Sequence, residues 1–275
     1  MLHQLRLALN GRIPPAAKSF YLKLREYNAD QRALPDFLII GAQKSGTTSL
    51  FNYLCLHPRI VGSVPKEIFY FCSHPERGER WYRRHFPKTK LLRNHQMISG
   101  EATPIMLCVA QAPREAQKAV PEARVVAILR EPAARAVSHY HHQRRFGRES
   151  RTIDEVFSYH NIARWKRGDC PDLSERLYFT WSDYVTGLRN WLEYYPRNQM
   201  LVLEAEQLFT NPQASVEKVC AFLELEPHSL PSHRPFNAAP GAQSKPANFA
   251  KLKAAFASHN HALKALGYPM DWMCD

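Results

Sequence analysis

The stretch DFLIIGAQKSGTTSLFNYLCL, residues 36–56, decides how the rest of this chain is read. Phe37–Ile40 is a short apolar run that breaks at Gly41 into the loop GAQKSGTT. From Thr47 the apolar residues Leu50, Tyr53 and Leu54 fall at helical spacing, and the pattern stops before Pro58. Strand, glycine-bounded loop and helix together make a phosphate cradle. Glycine lets backbone N–H groups approach an anion, and the helix N-terminus adds unpaired donors and the positive end of its dipole.

The loop departs from a nucleotide triphosphatase loop in an informative way. Gly41 and Gly46 are four residues apart, as in GxxxxGK[ST], yet Thr47 stands where that motif needs lysine. The loop's lysine is Lys44, inside the turn, where it meets a ligand nearer a bridging oxygen than a terminal phosphate. An ordinary βα turn and an ATP loop of unusual spelling are the competing readings.

Working outward, 275 residues fit one large α/β domain, and the apolar content excludes a disordered chain. A net charge of +12 favours anionic partners without choosing among nucleotides, acidic glycans, nucleic acid or a membrane surface. The six cysteines are scattered with no CxxC pair, so a reducing, cytoplasmic setting is expected, with the inner face of a membrane as the variant. His139, His141 and His142 cluster without any carboxylate or HExxH spacing, so no metal is expected. No apolar run approaches the ~20 residues a membrane span needs, and no secretory leader is recognisable.

Along the chain, residues 1–34 read as a basic helical extension, with Leu2, Leu5 and Leu9 at helical spacing, a stop at Pro14-Pro15, and a second short helix over Phe20–Tyr27. The expectation is a helix packed on the domain's flank; peripheral membrane contact is the alternative. Residues 35–275 then form a single domain. Ile60–Phe71 reads as a strand region carrying Lys66 and Glu67, either a surface ion pair or a general base beside an anion-holding lysine. Residues 76–86 read as a polar, basic helix. Ile98–Glu101 is a short strand, with Thr103 as N-cap and Pro104 at the first helical position; Glu101 at the strand's end is a ligand contact or a helix-starting carboxylate.

Val125–Leu129 is five apolar residues, suited to the centre of a parallel sheet covered on both faces. It ends in Arg130, and a helix over Ala133–Phe146 carries Ser138 two turns in. Arginine at a strand's end offers a planar fork matched to phosphate oxygens, with a salt bridge to Glu131 or Glu101 as the plainer reading. Arg144, Arg145, Arg148 and Arg151 read as a solvated basic rim. Ser182–Tyr195 and the run from Val216 to Leu223 read as helices around the strand Met200–Glu204, and Leu252–Leu266 marks one last helix. The proline-rich stretch 227–249 is long enough for a functional loop. Strands alternating with helices predict an α/β, P-loop-like three-layer domain, its central, mostly parallel sheet flanked by helices and its ligands at the strands' carboxyl ends.

With these residues assembled, the chain resembles the PAPS-dependent sulfotransferases of the heparan sulfate/carbohydrate O-sulfotransferase type (PAPS is 3′-phosphoadenosine 5′-phosphosulfate), in a soluble, bacterial-type form. The resemblance spans about residues 36–268. It rests on FLIIGAQKSGTTSLFNYLCLHPRI, PKEIFYF, EATP, VVAILREPAARAVSHY, YVTGLRNWLEYYPRNQMLVLEAEQL and HNHALKALG. It implies that Gly41, Lys44, Ser45, Gly46, Thr47, Thr48 and Ser49 bind the 5′-phosphosulfate, with Lys44 stabilising the leaving phosphate. It implies that Arg130 and Ser138 hold the 3′-phosphate, that Glu67 is the base, that Lys66 and Glu101 line the acceptor cleft, and that Lys245 is a later cofactor contact. The basic rims at 77–93 and 130–151 point to an acidic or phosphorylated acceptor, a saccharide, glycolipid or lipid-linked intermediate, with small alcohols and phenols as the alternatives.

The family often writes KEVHFF where this chain has Phe69 for the histidine, and EKTP where it has Ala102 for the lysine. Both positions lie on the acceptor side in polyanion-modifying relatives, and the paired cysteines usual in the late loop are absent as well. A base at His139 or His142 instead of Glu67, a P-loop kinase using ATP and magnesium, and a basic nucleic-acid-binding protein are the alternatives. Thr47 in the lysine position speaks against the kinase, and the lack of any recognisable nucleic-acid module against the last.

Overall fold

The computed structural model describes residues 15–169, 177–231 and 244–273. The elements that build the site are α1 (Pro15–Glu26), β1 (Phe37–Gly41), α2 (Thr47–Leu54), β2 (Ile60–Gly62), α3 (Tyr70–Ser73), α4 (Gly78–Arg83), β3 (Ile98–Ala102), α5 (Ala112–Ala119), β4 (Arg124–Leu129), α6 (Pro132–Arg145), α7 (Tyr184–Leu192), β5 (Met200–Glu204), α8 (Ala205–Thr210), α9 (Pro212–Phe222), α10 (Phe249–Ala255) and α11 (Ala257–Ala265).

The five strands form one sheet in the order β2-β3-β1-β4-β5. Every pairing is parallel, with Phe37 opposite Gly100 on one side and Arg124 on the other. Alternation along β1 and β4 explains why both read as continuous apolar runs. Leu38, Ile40, Val125, Ala127 and Leu129 enter one core with Trp191 and Leu188 of α7. Phe37, Ile39, Val126 and Ile128 enter the opposite core with Leu50, Leu54 and Val219. A two-residue period puts successive side chains on opposite faces, and each face here meets its own helical layer. A third cluster lies around α6, where Ala133, Ala136, Val137 and Tyr140 meet Phe157, Tyr178 and Phe256.

β1 is the central strand, and the chain leaves it first toward β2 and β3, later toward β4 and β5. The carboxyl end of β1 is therefore where the winding reverses, and the crevice there is the usual ligand position in an open α/β sheet.

Several local expectations change. The strand region over Ile60–Phe71 is a strand only at Ile60–Gly62; PKEIF is loop, and Tyr70–Ser73 is a helical turn. The cause is backbone conformation, since Glu67 and Phe69 adopt φ values of 66° and 60°, which break a ladder. The polar helix expected over 76–86 is shortened to α4, behind a 3-10 turn at Pro75–Arg77. Thr103 caps no α-helix. The chain after it turns into a 3-10 segment, Met106–Cys108, and the Thr103 hydroxyl donates to Glu101 instead. The single helix expected over Leu252–Leu266 is two, α10 and α11, meeting at Phe256.

The helix over Leu2–Leu9 lies outside the described residues. Pro15 opens α1, five residues before the expected start at Phe20, in keeping with proline's preference for the first helical turn. The segment is tied to its neighbours: Arg25 donates to the Phe86 carbonyl, Arg32 to the same oxygen at 2.9 Å, and Arg84 pairs with Glu26 at 2.7 Å. Among the described residues, no helix is long and apolar enough to cross a membrane.

Candidate active site

At the end of β1 the backbone turns sharply. Lys44 has φ 72° and Gly46 φ 90°, both left-handed. At Gly46 a side chain is excluded twice over, because a Cβ would lie 2.9 Å from Phe209 Cε1 and 3.1 Å from Leu208 Cδ2 as well as forcing an unfavourable φ. Gly46 is also the N-cap of α2 and offers no capping side chain. The first-turn N–H groups at Thr47 and Thr48 have no acceptor four residues back. Ser45 is fully buried, and its hydroxyl is without a hydrogen-bond partner among the described residues. A buried hydroxyl left open beside a helix N-terminus fits an anionic oxygen, so the loop suits the phosphosulfate end of PAPS.

Lys44 points out of the turn toward α6, with Nζ 3.3 Å from His142 Nδ1. Burial, then Arg145, Arg130 and Arg135, push its ammonium down to about 8, while Glu67 opposes the shift. Burial, reinforced by Lys44 and two arginines, holds His142 down to about 4, so it is a neutral imidazole accepting from the lysine. Glu67 is reached through the PKEIF loop. Its backbone N–H donates to the Ala102 carbonyl at the end of β3 (3.0 Å), and Lys66 Nζ lies 2.5 Å from its Oε1. Lys44, His142, Lys66 and Glu67 therefore share one mouth, between the ends of β1 and β3 and the side of α6.

Arg130 lies at the end of β4. Its Nη1 donates to the Lys44 carbonyl at 3.3 Å, its guanidinium sits over the Phe209 ring at 5.5 Å, and its own carbonyl accepts from Tyr184 at 2.8 Å. Neither salt bridge open in the sequence is made. Glu131 spends its carboxylate capping α6 through Ala133 N and Ala134 N, and Glu101 lies across the sheet. Among the described residues no carboxylate comes within ion-pair distance of Arg130. Ser138 is on α6 two turns in and almost buried.

Other expected residues fall elsewhere. Glu101 is fully buried: Thr103 donates to its Oε1 at 2.6 Å and Tyr82 donates to its Oε2. Burial pushes its carboxyl up to about 7, against the two hydroxyls and Lys66. Lys245 is exposed, its ammonium over the Phe249 ring at 4.7 Å; its neighbour Ser244 reaches α6, with its carbonyl 2.8 Å from His141 Nε2.

The three histidines diverge. His139 is 1% exposed, held by the Leu177 carbonyl and Gln143 and stacked on Trp181. Of the two alternative bases, only His142 faces the cleft. The arginine rim is partly internal as well: Arg151 pairs with the buried Glu149 at 2.9 Å, and Arg144 donates to the Glu149 and Ser150 carbonyls. Arg135, unremarked in the sequence, is fully buried and donates to Ser182, Leu177 and Tyr178. Nothing in REPAARAV separates it from a surface arginine, since its partners come from a segment some forty residues on. Among the described residues no group of three or more His, Cys, Asp or Glu side chains is arranged to hold a metal.

A parallel sheet with a βα anion cradle at its reversal point, a lysine inside the cradle, and an arginine and a glutamate at the flanking strand ends define a group-transfer domain for a nucleotide-borne anion. The sulfotransferase domain family model matches residues 34–261, and the chain belongs to that family. It is 30% identical to the mouse (Mus musculus) bifunctional heparan sulfate N-deacetylase/N-sulfotransferase 4 over 211 residues, 74% of this chain and 24% of that protein. The chain thus spans about a quarter of that relative's length. With the mouse heparan sulfate glucosamine 3-O-sulfotransferase 6 it shares 30% over 262 residues, 85% of this chain and 70% of that one. The crystal structure of a sulfotransferase from Alicyclobacillus acidocaldarius superposes with a TM-score of 0.70 at 27% identity, covering 86% of this chain and 97% of the other.

Proposed function

We propose that the chain transfers a sulfuryl group from PAPS to a hydroxyl of a saccharide or glycolipid acceptor. The observation that carries the reading is the cradle itself: left-handed Lys44, the open buried hydroxyl of Ser45 and the uncapped first turn of α2 meet at one point, with Glu67 across the mouth. The 5′-phosphosulfate lies against Gly41 and the segment from Lys44 to Ser49. The 3′-phosphate lies against Arg130 and Ser138, and Lys245 is the outermost contact. Residues 35–275 form the transferase domain and residues 1–34 its extension.

In the reaction Glu67 takes the proton of the acceptor hydroxyl as the new O–S bond forms. The S–O bond to the 5′-phosphate breaks in line, and the charge left on that phosphate falls on Lys44 and the backbone donors. Because charge builds on the leaving oxygen, donors fixed before the reaction stabilise the transition state more than the ground state. Lys66, 2.5 Å from Glu67, keeps that carboxylate oriented before the acceptor arrives. The saccharide class is supported by the relatives' names, both of which concern heparan sulfate. Phe69 and Ala102 take away a histidine and a lysine on the acceptor side, which favours an acceptor less densely anionic than heparan sulfate.

The test is calorimetric titration with the product 3′-phosphoadenosine 5′-phosphate against ATP with and without magnesium, followed by transfer from labelled PAPS to a desulfated heparan oligosaccharide and to neutral glycans. Metal-independent binding of the bisphosphate with label in a saccharide is the expected result. Tight binding of ATP with magnesium and none of the bisphosphate overturns it.

A further inference from the structure

Glu101 is an ionisable residue sealed inside the protein, and no step above uses it. Both of its oxygens are occupied by hydroxyls, Tyr82 on one and Thr103 on the other. Thr103, itself fully buried, faces a second partner, since the backbone N–H of Phe69 donates to its Oγ1 at 3.4 Å. Phe69 and Glu67 are the two left-handed residues of the PKEIF loop, and Glu67 N is bound to the Ala102 carbonyl at 3.0 Å. The loop that carries Glu67 is thus fastened to the end of β3 at two points, one a main-chain oxygen and the other a threonine hydroxyl whose proton is directed by Glu101.

A hydroxyl has one proton and two lone pairs. When a carboxylate claims the proton, the lone pairs are turned toward the remaining neighbour, here the Phe69 N–H. The 2.6 Å bond to Glu101 is the shorter of the two and fixes the orientation. Left-handed backbone at a non-glycine residue is strained and persists only where surrounding bonds hold it. Two such residues separated by one position need that hold.

We propose that Glu101, acting through Thr103, is the positioning residue for Glu67: the buried Tyr82–Glu101–Thr103 chain holds the PKEIF backbone in the conformation that aims the Glu67 carboxylate at the acceptor hydroxyl. The inference rests on Glu67 as base. Glu101 touches no substrate in this role, in contrast to the cleft-lining role that the family resemblance implies. Tyr82 stacks on Tyr70 with ring centroids 4.4 Å apart, so the far end of the chain is clamped by the same segment that follows the loop.

The experiment measures transfer from PAPS to the desulfated heparan oligosaccharide, or hydrolysis of PAPS to water if that glycan is not taken, together with bisphosphate affinity and melting temperature. Thr103→Val removes the hydroxyl at nearly constant volume. It is expected to lower kcat roughly 10- to 100-fold, as a displaced catalytic group does, with bisphosphate affinity unchanged. Thr103→Ser, which keeps the hydroxyl, recovers most of that loss. Glu101→Gln, which keeps the size but offers a single acceptor oxygen, falls on the same side as valine, and it serves as the test if Thr103→Val does not fold. The decisive comparison is Thr103→Val in a Glu67→Gln background, where no further loss is expected because the two act through one group. Full additivity there, or wild-type turnover in Thr103→Val, overturns the inference. Wild-type turnover in Glu67→Gln alone overturns the base assignment instead, so the two failures are distinguishable.

Discussion

Arg130→Ala separates the two ends of the nucleotide. The guanidinium is mostly buried, burial being the main cause that lowers its pKa, and it spends one N–H on a long 3.3 Å contact to the Lys44 carbonyl. The Phe209 ring beneath it fixes its plane at 5.5 Å without using a donor. No carboxylate among the described residues comes within ion-pair distance of it, and Glu206 and Glu131 act on it from farther off, so its remaining donors are available to a phosphate. Two charge-assisted hydrogen bonds at about 1.5–2 kcal/mol each amount to roughly 3–4 kcal/mol, or a loss of about 150- to 1,000-fold in affinity. That loss should appear in calorimetric titration with 3′-phosphoadenosine 5′-phosphate. Adenosine 5′-phosphosulfate, which lacks the 3′-phosphate, should lose less than about threefold. Arg130→Lys restores the charge but not the fork and should fall between. Equal weakening toward both nucleotides would refute the reasoning, because it would mean that Arg130 acts by supporting the Lys44 carbonyl and the loop.

Lys44→Met keeps the stem and removes the charge; kcat should fall about 10²–10³-fold in transfer from PAPS, and a drop under threefold would remove Lys44 from the leaving-group role. Glu67→Gln should abolish most turnover while bisphosphate affinity stays within about threefold, a split that equilibrium titration beside a rate assay detects. Since the ammonium of Lys44 is pushed down to about 8, kcat/KM should fall as pH rises through about 8 in the free enzyme, and Lys44→Arg should move that limb to higher pH. Folding linkage runs the other way. Between about 8 and the ordinary lysine value the unfolded chain binds more protons at this site, so the Lys44 contribution to stability increases with pH, readable as a difference in denaturation midpoint between wild type and Lys44→Met. Gly46→Ala should cost about 1–2 kcal/mol from its left-handed φ of 90°, and should weaken bisphosphate binding as well because the clash with Phe209 tilts the loop; unchanged melting and affinity would show that the turn relaxes without consequence.

The order of strands and helices, the anion loop and the carboxyl-end location of Lys44 and Arg130 were legible in the sequence because they rest on local signals. A β-branched run, a glycine that must take positive φ and a proline at a helix start act within a few residues. The PKEIF segment was misread for the complementary reason. Its apolar run looks like a strand, but its backbone is held by β3 and Thr103, partners about 35 residues away that periodicity cannot report. Likewise His139 and His142 are equivalent in sequence, three apart on one helix. One is buried on Trp181 and the other accepts from Lys44.

The sequence by itself therefore determined the fold class, the cofactor-shaped loop and the family, since these depend on backbone propensities and on spacings within single elements. Tertiary structure alone decided which charged residues are available. Glu101 and Arg135 are sealed in, Glu131 is spent on a helix cap, Lys44 and Glu67 are left at one mouth, and Arg130 stands at the end of β4. The cost of burying a charge depends on which dipoles surround it, and those come from strands and helices that only the folded chain brings together.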